Sequence, residues 1–205
     1  MGQSDEYEAL KALAREARSK YGVTTDTLGL RKMRTVYEEE GIHVDLWKHK
    51  LRRVQAAYLV VGGRSYVMLN AAQPAEPRLF SMAHELKHHY VDRDAASSMP
   101  IGCVGELGYS TAPTTEIGAN IFAAEFIFPE AEFNCWALRA LGKRACTKKE
   151  VVLLKRRCPA RVSYAFLVRR LERLGFATKG AFAGVQFLNL EKQLFGPRYY
   201  VGRRH

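Results

Sequence analysis

Apolar residues recur at helical spacing through Tyr7, Leu10, Leu13, Ala14 and Ala17, which predicts a helix over 7–20 and, by the same pattern, a second over 27–40. Gly41 fits the end of that second helix, and Ile42, His43, Val44, Asp45 and Leu46 then alternate as a strand does. Two further strands read over 54–61 and 65–69, with Gly62-Gly63-Arg64 between them supplying positive-φ residues for a hairpin turn. A turn region over 70–77 leads into a helix over 78–90. Residues 95–114 hold Ser97, Ser98, Pro100, Gly102, Gly105, Gly108 and Pro113, the composition of an extended loop. A strongly apolar helix follows over 115–128 and ends at Pro129. Helices over 148–157 and 162–174 are separated by Cys158-Pro159, and the last 25 residues, rich in Phe, Tyr and Val, read as strands or an ordered tail. The order of elements is that of an α+β protein: a small three-stranded antiparallel sheet packed on helices, then a helical segment.

Composition narrows the class. With 205 residues and 47% hydrophobic content the chain can close a core, and it lacks the apolar-poor signature of disorder. No apolar run is long enough to span a bilayer, so no membrane association is expected. The polar, acidic start Gln3-Ser4-Asp5-Glu6 is not a secretory signal, and the four cysteines show no CxxC spacing. A reduced, cytoplasmic protein is expected. The net charge of +11 is lopsided: residues 1–140 carry 16 Lys/Arg and 18 Asp/Glu, residues 141–205 carry 16 and 3. The division expected is therefore 1–140 as one domain and 141–205 as a basic helical segment with an aromatic tail. Such a segment favours polyanions or acidic partners.

The chemistry lies in His84-Glu85-Leu86-Lys87-His88, an HExxH sequence inside a predicted helix. At about 100° per residue, positions four apart lie about 40° from each other on one face, so both imidazoles reach one ion. Glu85 reaches the edge of the same site and is placed to take a proton from water activated there. A third ligand is required for a catalytic zinc. Asp92 and Asp94 follow too closely unless the chain doubles back, and Glu106 lies in the loop. Glu116 opens the apolar helix and shares a face with Asn120, Ala123 and Ile127, whereas Glu125 lies about 180° away. Glu116 is the ligand expected, with a charge favoured by the helix dipole as the alternative. Asn120 and His89 are expected to support the site or meet substrate. Glu125 is expected in a structural ion pair.

The segment Phe80-Ser81-Met82-Ala83-His84-Glu85-Leu86-Lys87-His88, taken with Glu116-Ile117-Gly118-Ala119-Asn120-Ile121-Phe122-Ala123-Ala124-Glu125-Phe126-Ile127-Phe128-Pro129, resembles the ImmA/IrrE zinc metallopeptidases. The resemblance covers about residues 28–130 and continues more weakly into 161–165 and 170–175. It implies a zincin-like fold, one zinc per chain on His84, His88 and Glu116, and Glu85 as the catalytic residue. It further implies a narrow-specificity endopeptidase acting in transcription regulation or stress response, its substrate a helix-turn-helix repressor or antitoxin. Lys87 departs from the small residue usual at its position, with an effect expected on the surface beside the site.

In the mechanism expected, zinc acidifies a water, Glu85 accepts the proton, and the water attacks a peptide carbonyl. Candidate donors to the oxyanion are His89, Tyr90, Tyr109, Asn120 and Arg78, without rank. The edge of the strand at 65–70 is expected to pair with an extended substrate. The helices at 148–157 and 162–174 have helix-turn-helix spacing, and Arg169, Arg170 and Arg173 would form a basic stripe for DNA or partner contact. The competing reading is a DNA-binding or toxin–antitoxin regulatory protein whose metal site is structural.

Overall fold

A computed structural model describes residues 2–47, 55–98, 101, 113–142 and 144–196. The described residues fall into two compact units. One comprises residues up to Phe133 with Pro159–Val162, the other Asn134–Cys158 and the residues from Ser163 onward.

The first unit is α+β. Helices α1 (Gln3–Lys20) and α2 (Leu30–Glu39) precede strands β1 (Ile42–Trp47), β2 (Ala56–Val61) and β3 (Arg64–Asn70). Helix α3 (Ala75–Val91), the short α4 (Arg93–Ala96), α5 (Pro113–Ile127) and the start of α6 (Glu130–Leu141) follow. Gly62 and Gly63 have φ of 56° and 77°, a pair of positive values that closes a two-residue hairpin, so β2 and β3 run antiparallel.

The sheet differs from the purely antiparallel one expected. Its order is β1-β3-β2, and β1 lies parallel to β3 with Ile42 opposite Ser65 and Trp47 opposite Asn70. Alternation marks a segment as a strand but carries no information on which edge it takes. The hairpin occupies one side of β3, and β1 pairs with the other. This also corrects the expectation that β3 offers an edge to substrate, because both its sides are hydrogen-bonded. The outer side of β2 meets Ile101, whose N–H and C=O exchange bonds with Tyr58.

Helix α3 packs on β2, β3 and α5, and α1 covers α5 from another side. Contact on more than one side explains why α5 is apolar around most of its circumference. Its Phe122 and Phe126 are fully buried and stack at 5.9 Å. Gly118 lets α1 approach: a Cβ there would come within 2.9 Å of Leu10 Cδ1. The far end of α5 is closed by Arg18, whose guanidinium donates to the carbonyls of Phe126 (2.6 Å) and Ile127 (3.5 Å). Among the described residues no helix is long and apolar enough to cross a membrane.

The second unit is helical: the remainder of α6, α7 (Lys148–Arg157), α8 (Tyr164–Arg173) and α9 (Phe187–Phe195). The aromatic residues of α9 suit the strand or tail expected, yet Phe187, Leu190 and Leu194 fall at helical spacing and the segment is a helix. Helix α6 is a further addition to the elements expected, lying directly behind Pro129, which ends one helix and precedes the next. Thr147 and Glu150 form a capping box at the start of α7, and Ser163 caps α8. All three acidic residues of this unit are engaged within it. Glu150 serves the capping box, Glu172 accepts from the Gly180 N–H at 3.0 Å, and the buried Glu191 accepts from Tyr164 (2.9 Å) and Arg156 (3.2 Å).

Candidate metal centre

The HExxH segment lies in the C-terminal half of α3, against the start of α5. His84 and His88 stack their rings edge-on with centroids 5.1 Å apart. Glu116, in the first turn of α5, faces both: its carboxylate is 3.2 Å from His84 Nε2 and 3.5 Å from His88 Nε2. One donor atom from each of the three lies within 4.8 Å of the others. The structure thus brings together, from two helices, the two histidines and the carboxylate expected of them, His88 and Glu116 lying 28 residues apart in sequence.

Each imidazole is oriented from behind. His88 Nδ1 donates to Asp92 Oδ2 at 2.6 Å, and His84 Nδ1 lies 3.3 Å from Asn120 Oδ1. With its proton on Nδ1, His88 turns an unshared pair on Nε2 toward Glu116, and that buried nitrogen has no hydrogen-bond partner among the described residues. Burial also holds the His88 pKa below its ordinary value, which keeps the ring neutral. A lone pair facing a carboxylate in a buried site is unfavourable unless a cation lies between them. Separations of 3.2 and 3.5 Å are also close to the edge of a tetrahedron with bonds of about 2.1 Å, as zinc prefers. The N,N,O donor set fits a divalent metal.

Glu85 is fully buried and neither of its oxygens has a hydrogen-bond partner among the described residues. Desolvation pushes its carboxyl pKa up to about 8, with Glu116 adding to the rise and His84 opposing it.

Sequence reasoning missed Asp92. Its closeness to His88 in sequence argues against a ligand unless the chain doubles back. In the structure it caps α3 one turn beyond His88 and accepts that ring's proton instead. Its i+4 spacing from His88 was the available signal. Burial raises the Asp92 pKa, but hydrogen bonds from His88 and Lys87 outweigh it and hold the carboxyl below its ordinary value. Lys87 corrects another expectation. It is not on the surface beside the site but 3% exposed, with Nζ 2.7 Å from Asp92 Oδ2.

The other candidates separate. Asn120 is exposed beside His84, whereas His89 is buried on another side of α3. Its Nδ1 is 3.1 Å from Tyr58 Oη, and its Nε2 faces Glu40 at 3.7 Å. Tyr90 donates to Glu40 at 2.5 Å. Arg78 lies in the first turn of α3, more than a turn from His84. Glu125 pairs with Arg15 at 2.9 Å. Glu106, Tyr109, and the tail residues Arg198, Tyr199, Tyr200, Arg203 and Arg204 lie outside the described residues. The basic stripe on α8 is also corrected. Arg169 and Arg173 are exposed, but Arg170 is buried with its guanidinium 5.5 Å from the Phe166 ring centroid, because it falls on the face bearing Phe166, Leu167 and Leu171.

No curated protein matches the chain. The sequence model of the IrrE N-terminal-like domain, peptidase family M78, matches residues 38–172, from the end of α2 through nearly all of α8. That span is well over half of the chain and includes His84, His88 and Glu116, and the protein therefore belongs to this peptidase family.

Proposed function

We propose that the protein is a zinc-dependent endopeptidase of narrow specificity, with His84, His88 and Glu116 holding one zinc and Glu85 as its general base. The observation that carries this reading is Glu85 itself. A fully buried carboxyl with no hydrogen-bond partner, beside two histidines and a second carboxylate, is costly unless it works. Bound there, zinc would supply Lewis acidity, making a water acidic near neutral pH and drawing electron density from a peptide carbonyl.

The chain's own residues supply the rest. Glu85 takes the proton of the attacking water on its carboxylate and returns it to the leaving amine as the C–N bond breaks. A pKa raised by burial suits a group that must both accept and release a proton near neutrality. Asp92 and Asn120 hold the two imidazoles in the orientation that turns Nε2 toward Glu116.

The substrate we favour is a helix-turn-helix repressor or antitoxin, cleaved to relieve repression, as the family resemblance implies. The composition of residues 141–205, 16 Lys/Arg against 3 acids that are engaged internally, favours DNA or an acidic face of that substrate as its partner. Exposed Arg169 and Arg173 are the contacts assigned to it.

Purified protein should contain about one zinc per chain by metal analysis, and His84→Ala should lose it. Incubation with a helix-turn-helix protein encoded beside its gene should give a discrete cleavage, absent after chelation. Full zinc with no cleavage of such a neighbour would favour a metal-stabilised regulatory protein instead.

A further inference from the structure

A lysine with 3% exposure needs a reason to be inside. The Lys87 ammonium is buried between two structures that each control a metal donor. On one side it sits 2.7 Å from Asp92 Oδ2, the same oxygen that accepts the His88 Nδ1 proton at 2.6 Å. On the other it lies 3.5 Å from the carbonyl of Thr115, the residue before Glu116.

We propose that Lys87 is a positioning residue for the metal: one buried ammonium holds Asp92 against His88 and ties the first turn of α5, which carries Glu116, to α3. The inference rests on the zinc site proposed above and deepens it. Asp92 sits just beyond the end of α3, and a carboxylate there can turn away to solvent. The ammonium restrains it with a second charge-assisted bond on the oxygen that faces His88. The Thr115 contact restrains the approach of Glu116 from the opposite helix. Two of the three donors thus depend on a side chain that touches neither the metal nor substrate.

The test is a double-mutant cycle read in zinc affinity, by competition with a chromogenic chelator, on full-length protein whose metal-free fold is checked by circular dichroism. Lys87→Met should weaken zinc binding by about 10–100-fold, the range found when partners behind metal-binding histidines are removed. Asp92→Asn should do likewise. Because Lys87 acts chiefly through Asp92, the double variant should bind zinc close to as well as Asp92→Asn alone. Wild-type affinity in Lys87→Met, or losses that multiply in full, would overturn the proposal while leaving the zinc site standing. Should Lys87→Met fail to fold, the comparison of Asp92→Asn with the charge-free double variant still decides. A further loss of about tenfold or more there overturns the proposal, and affinity lowered by no more than about threefold, the share left to the weaker Thr115 contact, supports it. Wild-type protein that takes up no zinc would instead overturn both this inference and the peptidase reading beneath it.

Discussion

Glu85, which α3 carries, and Glu40, which packs against α3, are both largely buried carboxylates, and their surroundings could hardly differ more. Glu40, just past the end of α2, accepts hydrogen bonds from Tyr21, from Tyr90 at 2.5 Å and from Lys20 at 3.0 Å. Burial alone would raise its pKa, but those donors outweigh it and hold the carboxyl below its ordinary value. Glu85 has no donor, and its pKa moves the other way, to about 8. Helix α3 therefore meets on one side a carboxylate whose charge the fold satisfies and carries on another a carboxyl whose charge the fold resists. The first arrangement contributes to stability. The second costs stability and is tolerable where the group has chemistry to perform.

Glu85→Gln tests the contrast most severely. Cleavage should fall by about 10²–10⁴-fold with zinc content unchanged, since the ligands are untouched. The same substitution should stabilise the metal-free protein. The folded pKa near 8 lies above the ordinary 4.5, so the Glu85 contribution is intact below pH 4.5 and is lost as pH rises through 8. Glutamine has no charge to resist. At pH 9 in chelator, the variant should therefore melt well above wild type, by on the order of a few kcal/mol, and the gap should close at acid pH. Equal melting at pH 9 would mean that Glu85 is solvated or paired after all.

Glu40→Gln should behave in the opposite sense. Replacing a satisfied carboxylate removes charge-assisted hydrogen bonds, at about 2 kcal/mol at neutral pH. Because the folded pKa is lowered, this contribution is present above the ordinary carboxylate pKa and fades as pH falls through it. Variant and wild type should converge in thermal melts taken on acidification, while zinc stoichiometry stays the same. Loss of zinc in this variant would show that the two sides of α3 are not separate.

The division between these sides was only half legible beforehand. The i, i+4 histidines and the Glu116 face follow from helical geometry, which is local and periodic, so the cluster could be read from spacing. Asp92 and Lys87 could not be placed, because their roles depend on where the chain turns after α3 and on how the first turn of a different helix, α5, meets it. The Glu40 network joins residues 20, 21, 40 and 90, and nothing periodic links those positions. Likewise the strands were legible from alternation, but their order β1-β3-β2 is a tertiary choice. Charge counting found the basic third of the chain without showing that Arg170 faces inward, although its i+4 spacing from Phe166 was available.

The finest test concerns His89, which adjoins a proposed zinc ligand in sequence yet faces the Glu40 side. Tyr58 is fully buried, and its hydroxyl lies 2.9 Å from Ser65 Oγ and 3.1 Å from His89 Nδ1. Tyr58→Phe keeps the ring and removes the oxygen, leaving both neighbours short of one partner, at a cost of about 1 kcal/mol or slightly more. Burial already holds the His89 pKa below its ordinary value, so the ring is neutral and needs no counter-ion to remain there. If His89 belongs to the structural side of α3, Tyr58→Phe lowers the melting temperature by a few degrees and leaves the cleavage rate at saturating substrate unchanged. A fall in that rate, with zinc and fold intact, would instead make His89 part of the working face. The helix would then divide its labour by individual residue rather than by side.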